Sequence, residues 1–434
     1  MRRAREERSF QSRLPARLRR QMTKLFLLLR HRAGAAPPEA NRPFLTWPPV
    51  SGACDCRDLM TRLQWFLPRE PASVFVSVTP GFRITPELHS EGTEVLDLPA
   101  REKAQIRFLA SWREQHELLA AEPYILVWKL LDVRNIGLRR HLPRWYVIDP
   151  DWFSLVEELE WTLLYEAAKN PCDASELTGI SRRNLDKLQA AARICTHVNV
   201  CGNGPSLNAL VESGSGGFNL ICNTAVQSDR IVERLRPAVV AFANSVFFGP
   251  SAFARKIIEG AARCVKDYGA VIVTPGGYAQ HLIASNYPHL KQHTLGLSFG
   301  KDLAIPSPER LAVKQSSNVA TALMLPLAAG LGVRLIEIWG CDGGAPEQRS
   351  RWSPWQYFSG GDPARDSATL AHPAFFRDRV ITESYFNRYY QDHCEYFEKL
   401  LQFIEANGVE VRNRTPSRIP ALARRLQDMS AALS

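Results

Sequence analysis

Residues 196–207, THVNVCGNGPSL, constrain this chain more than any other stretch: a short apolar run leads directly into Gly202-Asn203-Gly204-Pro205-Ser206-Leu207. Glycines at 202 and 204 tolerate left-handed backbone and let the main chain approach a ligand closely. Pro205 pre-sets the φ of a first helical turn, where orphan N–H groups attract a phosphate. Asn203 adds a neutral amide able to bond phosphate or sugar oxygens. The loop lacks the Gly-Lys-Ser/Thr of a Walker A motif and the G-x-G-x-x-G dinucleotide fingerprint. A tight strand-to-helix turn without a ligand is the competing reading.

The pattern around the loop extends it into an α/β domain over residues 196–425. Strands are expected at 196–201, 218–222, 238–243, 270–274, 334–339 and 409–412, as short apolar runs without alternation. Such runs suit strands buried on both faces of a parallel sheet. Helices are expected near 227–235, 250–266, 317–331 and 383–406. A doubly wound, Rossmann-like sheet follows, with ligands at the carboxyl ends of its strands. Asn223 closes the second strand and Asn244 the third, both near the Gly202 loop in such a fold. One Asn at a strand end is a turn former; three at successive ends point to a shared ligand. Ser317 and Asn318 open the helix that ends before Gly332, suited to capping or to a ligand carboxylate. Asp342 ends RLIEIWGCD, either binding ligand or capping a turn. Residues 343–380, rich in Gly, Trp, Tyr and Arg, read as a lid or a folded-back loop. The final long amphipathic helix carries Tyr385, Tyr389, Tyr390 and His393.

Residues 44–195 read as a smaller α/β unit, with strands at 73–78, 94–98, 124–131 and 145–148. Its helices are expected at 57–66, 101–120, 152–168 and 181–194. Asp149-Pro150-Asp151 there fits either a metal–diphosphate site or a helix cap. Residues 1–43 form a basic tail and linker. Of the net charge of +10, residues 1–42 supply +9, from twelve Lys/Arg against three Glu. The basic balance therefore belongs to the tail, and nucleic-acid binding by the folded part is not expected. Leu14, Leu18, Met22, Leu25 and Leu29 among arginines suit peripheral contact with an anionic membrane, and equally an exposed arm. No apolar run reaches spanning length, and no secretory signal is evident. Nine scattered cysteines without a C-x-x-C pair argue against a zinc ribbon and for a reducing, cytoplasmic compartment.

Taken in order, GNGPSL, a strand ending Cys-Asn, Ser-x-Val opening a helix that ends Leu-Gly, and a strand ending Gly-x-Asp resemble a known family. It is the bacterial CMP-sialic-acid-dependent sialyltransferases, glycosyltransferase family 42. The same loop is similar to that of motility-accessory-factor glycosyltransferases and archaeal-type pterin pyrophosphokinases. The resemblance covers residues 196–425 and implies a CMP-sugar donor, a glycan or protein acceptor and no required metal. It implies that Asn203 and Asn223 contact CMP, that Asn244 is a third amide and that Ser317 meets the donor. It places the general base at His393, with His372 a rival. The family's paired tyrosines fall on Gly343 and Gly344, which leaves Tyr357, Tyr385 or Tyr389 to assist the leaving phosphate. The implied activity is transfer of a sialic-acid-like sugar. The alternatives are a magnesium- and ATP-dependent pterin-type pyrophosphokinase and a non-catalytic binding scaffold.

Overall fold

The computed structural model describes residues 42–66, 73–86, 106–129, 132–147, 173–214, 216–243, 247–248, 252–316, 318–343 and 383–427. The basic tail, Asp149 to Asp151, the strand expected at 94–98 and the helix at 152–168 lie outside these residues. So do nearly all of the loop at 343–380, Asn244, Ser317 and His372. The chain divides into two compact units, each α/β with its own parallel sheet.

The first unit contains β1 (Phe44–Val50), α1 (Ala53–Phe66), β2 (Val74–Val78), β3 (Ile106–Leu109), α2 (Trp112–Ala120), β4 (Tyr124–Val127) and β5 (Trp145–Val147). Its strand order is β3-β2-β1-β4-β5, all parallel. Two prolines in FLTWPPV hide β1 from a propensity reading, since Pro withholds a ladder N–H. The sheet accepts it because Phe44, Leu45 and Val50 are fully packed. Residues 106–109, expected as helix, form β3 instead, and α2 starts only at the capping box of Ser111 and Glu114.

The second unit is built on β6 (Val198–Cys201), β7 (Phe218–Cys222), β8 (Val239–Ala241), β9 (Val271–Pro275), β10 (Thr294–Gly300), β11 (Ala312–Lys314), β12 (Leu335–Trp339) and β13 (Glu410–Asn413). The order is β11-β10-β9-β8-β7-β6-β12-β13, parallel throughout. Successive strands step outward from β6 in one direction, and then the chain returns to place β12 and β13 on the other side of it. Between them run α3 (Ala174–Ala192), α4 (Asn208–Ser213), α5 (Asp229–Leu235), α6 (Ala252–Tyr268), α7 (Tyr278–Asn286), α8 (Leu325–Gly330), α9 (Glu383–Ala406) and α10 (Pro420–Ala423). Every residue of β6, β7, β8 and β9 is buried, as their unalternating apolar runs predict.

The main core joins Val198, Val200 and Leu220 of the sheet to α8 and to the Phe397, Leu400, Leu401 and Ile404 stripe of α9. That i, i+3, i+4, i+7 spacing is the buried face of an amphipathic helix. The sequence reading puts α3 on the N-terminal side of a boundary at 196. Its Leu185, Leu188 and Ala192 nevertheless pack in the core of the larger sheet, each buried leucine contributing about 1.5–3 kcal/mol. Strands β10 and β11 and helix α7 lie where the sequence signal is weak, because TLGLSFG carries two glycines.

Candidate functional site

The strand order reverses between β6 and β12, and the crevice at such a reversal is where open α/β sheets bind ligands. Three strand ends converge there. The loop after β6 continues as a turn of 3-10 helix at Pro205–Leu207, followed by α4. The end of β7 gives Asn223 and Thr224, and the end of β12 gives Gly340, Cys341 and Asp342.

The two backbones of β6 and β12 nearly touch. Gly202 donates its N–H to Trp339 O at 2.7 Å, and Gly204 donates to Gly340 O at 2.7 Å. A Cβ on Gly202 or on Gly204 would lie 2.5 Å from Gly340 O, and one on Gly340 would lie 2.6 Å from Gly202 O. Neither glycine takes the positive φ expected of it, and both let the two loops interlock. Gly204 itself has φ −71°, whereas Gly340 is the left-handed one at +65°.

The turn at Pro205 also differs from the expected phosphate nest. Ser206 N–H donates to Asp342 Oδ2 at 3.1 Å, and Ser206 Oγ donates to Asp342 Oδ1. Leu207 N–H bonds Gly204 O at 3.0 Å, and Asn208 N–H bonds carbonyls of the turn. The N–H groups of Ser206 and Leu207 expected to be open are thus bonded within the protein, that of Ser206 to the Asp342 carboxylate. Asp342 is held from behind: Arg418 N–H donates to its carbonyl at 2.7 Å. Ser417 Oγ donates to Cys341 O at 2.6 Å and Gly340 N–H to Thr415 Oγ1 at 3.0 Å. Thr415, Ser417 and Arg418 escape a motif reading because they follow β13, far away in sequence from the loop they brace.

The β7 side is neutral and amide-rich. Asn203 Nδ2 lies 3.4 Å from Thr224 Oγ1, and Cys222 Sγ lies 3.6 Å from Asn203 Oδ1. Asn223 adopts left-handed backbone, φ 51°, which Asn tolerates better than most residues. Its side-chain oxygen is buried without a hydrogen-bond partner among the described residues. A buried amide oxygen left unbonded costs about 1–3 kcal/mol, so this side chain is a natural acceptor for an incoming N–H or O–H. Beneath the loop, burial raises the Cys201 and Cys222 thiols and pushes Cys341 up to about 12. These cysteines are protonated packing residues rather than nucleophiles.

Asn318 is used locally, its Oδ1 accepting from Ala320 N–H at 2.8 Å at the start of a π-helical turn, Ala320–Met324. His393 lies on α9, stacked edge-on against Phe397 at 5.3 Å, and burial pushes its pKa down to about 4. One turn earlier, Tyr390 Oη donates to Arg418 O at 2.8 Å, and Arg418 N–H in turn holds Asp342. Tyr389 is on the same helix, with its side chain outside the described residues. Among the described residues no group of three His, Cys, Asp or Glu side chains is placed to hold a metal ion. No helix there is long and apolar enough to cross a membrane.

No protein-family model and no curated protein matches the chain. Among solved structures, it is similar to a variant of the sialyltransferase CST-II in complex with CMP. The identity is 14%, the coverage 52% of this chain and 88% of that one, and the TM-score 0.28. A likeness at that score carries no argument, and the roles of the residues rest on their own geometry.

Proposed function

We propose that the crevice between β6, β7 and β12 binds a CMP-activated sugar and that the protein is a glycosyltransferase of sialic-acid-like residues. The acceptor would be a glycan or protein. The observation that carries this reading is the convergence of Asn203 with Asn223 and Thr224 at the strand-order reversal, with the Asn223 oxygen buried and unbonded. A cytosine presents an exocyclic N–H₂ and a ribose presents hydroxyls, the donors that such an oxygen requires. Asn203 would serve the phosphate with its amide N–H₂, since the N–H groups of Gly202, Gly204, Ser206 and Leu207 are already bonded within the protein. The resemblance of GNGPSL and the following strand ends to the CMP-dependent transferases supports the same ligand class.

In this reading His393 accepts the acceptor hydroxyl's proton. Burial, by lowering its pKa to about 4, leaves it neutral throughout the physiological range and a weaker base than an ordinary imidazole. His372 and Tyr389 remain the proposed rival base and leaving-group donor, and Asn244 and Ser317 the further donor contacts. No metal or other cofactor is proposed for the transfer. The basic tail would hold a cytoplasmic enzyme against an anionic membrane.

A thermal-shift series with CMP, CDP, UDP and ATP, each with and without magnesium, tests the ligand class, because a ligand of the native state raises the melting temperature. A CMP shift independent of magnesium and lost in Asn223→Ala supports the proposal. A shift with ATP and magnesium alone would move the protein to the pyrophosphokinases. In turnover, kcat/KM should stay level from pH 8 down to about pH 5 and fall below that with an apparent pKa near 4. An acid limb near pH 6.5 that persists in His393→Gln would remove His393 as the base.

A further inference from the structure

Asp342 stands where a phosphate at the turn would stand. Its carboxylate takes both the N–H and the hydroxyl of Ser206. A Cβ on Gly204 would lie 2.6 Å from its Oδ2, so the group is pressed against the loop. Among the described residues it makes no ion pair. Arg418 N–H and Ser417 Oγ donate to the carbonyls of Asp342 and Cys341, and Gly340 N–H donates to Thr415 Oγ1, which keeps its backbone in place. The crevice is therefore polar along its length: neutral amides of Asn203 and Asn223 on the β7 side, a fixed negative charge on the β12 side.

We propose that Asp342 is the resident anion of the loop and a specificity-determining residue. It admits a nucleotide with one phosphate group at the amide end, and makes binding of a second phosphate conditional on a divalent cation. This rests on the nucleotide reading of the same crevice. A chain of two phosphates extending from Asn203 toward Pro205 meets the carboxylate, and like charges brought together oppose binding. A magnesium ion between phosphate and carboxylate turns the repulsion into a bridge, since this ion is commonly held by one carboxylate plus ligand phosphates. The selectivity is thus built from a repulsive element, not from an extra contact to the preferred ligand.

Calorimetric titration of CMP and CDP into the full chain, in EDTA and in magnesium, decides the matter. The wild type in EDTA should favour CMP over CDP by about tenfold or more, each tenfold being about 1.4 kcal/mol. Magnesium should close that gap. Asp342→Asn, which keeps the shape and an acceptor for Ser206, should close it in EDTA. Asp342→Ser provides a second neutral side chain should the amide fail to fold. An unchanged CMP-to-CDP ratio in a cooperatively melting variant would overturn the inference while leaving the nucleotide site standing. Equal weakening of both nucleotides would overturn it too, assigning Asp342 a bracing role only. If neither nucleotide binds the wild type under either condition, the nucleotide reading itself fails.

Discussion

Burial sets the chemistry of His393. Its imidazole packs edge-on against Phe397, and loss of water disfavours the charged form, so its pKa falls to about 4. The unfolded chain protonates this residue near pH 6.5, whereas the folded chain resists until about pH 4. Its contribution to stability is therefore complete above pH 6.5 and is lost as pH falls from 6.5 through about 4. The loss amounts to about 3 kcal/mol. Urea midpoints of the wild type and His393→Gln, measured at pH 7 and at pH 4.5, should converge at the lower pH. Parallel pH profiles would show that the imidazole is solvated. The sequence shows a His in the middle of an amphipathic helix and nothing of this environment, because a titration shift depends on neighbours that other elements supply.

At the scale of elements, the interlocking of the β6 and β12 loops is the feature that fixes the crevice. Gly202→Ala and Gly204→Ala each drive a methyl group to within 2.5 Å of Gly340 O. Overpacking of this kind costs about 1–3 kcal/mol, and more where backbone must yield. Each variant should melt several degrees lower and lose any CMP shift, whereas Gly216→Ala, whose Cβ meets nothing within 4 Å, should do neither. Motif reading identified these glycines but not Gly340 as their neighbour. A sequence shows that a residue must be small, and only the fold shows what comes near it. Asn203, Asn223 and Asp342 were legible as strand-end residues because strand ends gather at one edge of a parallel sheet. That Asp342 would bind Ser206 was not, since 136 residues separate them.

At the scale of the larger unit, a buried ion pair ties the sheet to the segment that braces Asp342. Arg414 donates from Nη2 to Glu337 Oε1 at 2.6 Å, both side chains being largely enclosed. His197 Nε2 lies 3.7 Å from the other carboxylate oxygen. Removing one partner strands a charge, so Glu337→Leu should destabilise by about 3–5 kcal/mol in chemical denaturation. The double variant with Arg414→Met should recover most of that loss. A double variant as unstable as the single one would mean that packing, not charge, is lost.

The sequence by itself determined the parallel α/β class, the extent of most strands and helices in the second unit, and the loop at which the chain turns from β6. Those features depend on local periodicity and on Gly and Pro, which act within a few residues. The tertiary structure alone decided the strand order with its reversal at β6 and β12, the packing of α3 against the larger sheet, and β1 despite its prolines. It also decided that the N–H groups of Gly202, Gly204 and Ser206 would be spent on Trp339, Gly340 and Asp342. Each of these is a contact between distant segments, selected by which apolar faces and hydrogen-bond groups can be satisfied together, and no local pattern encodes that choice.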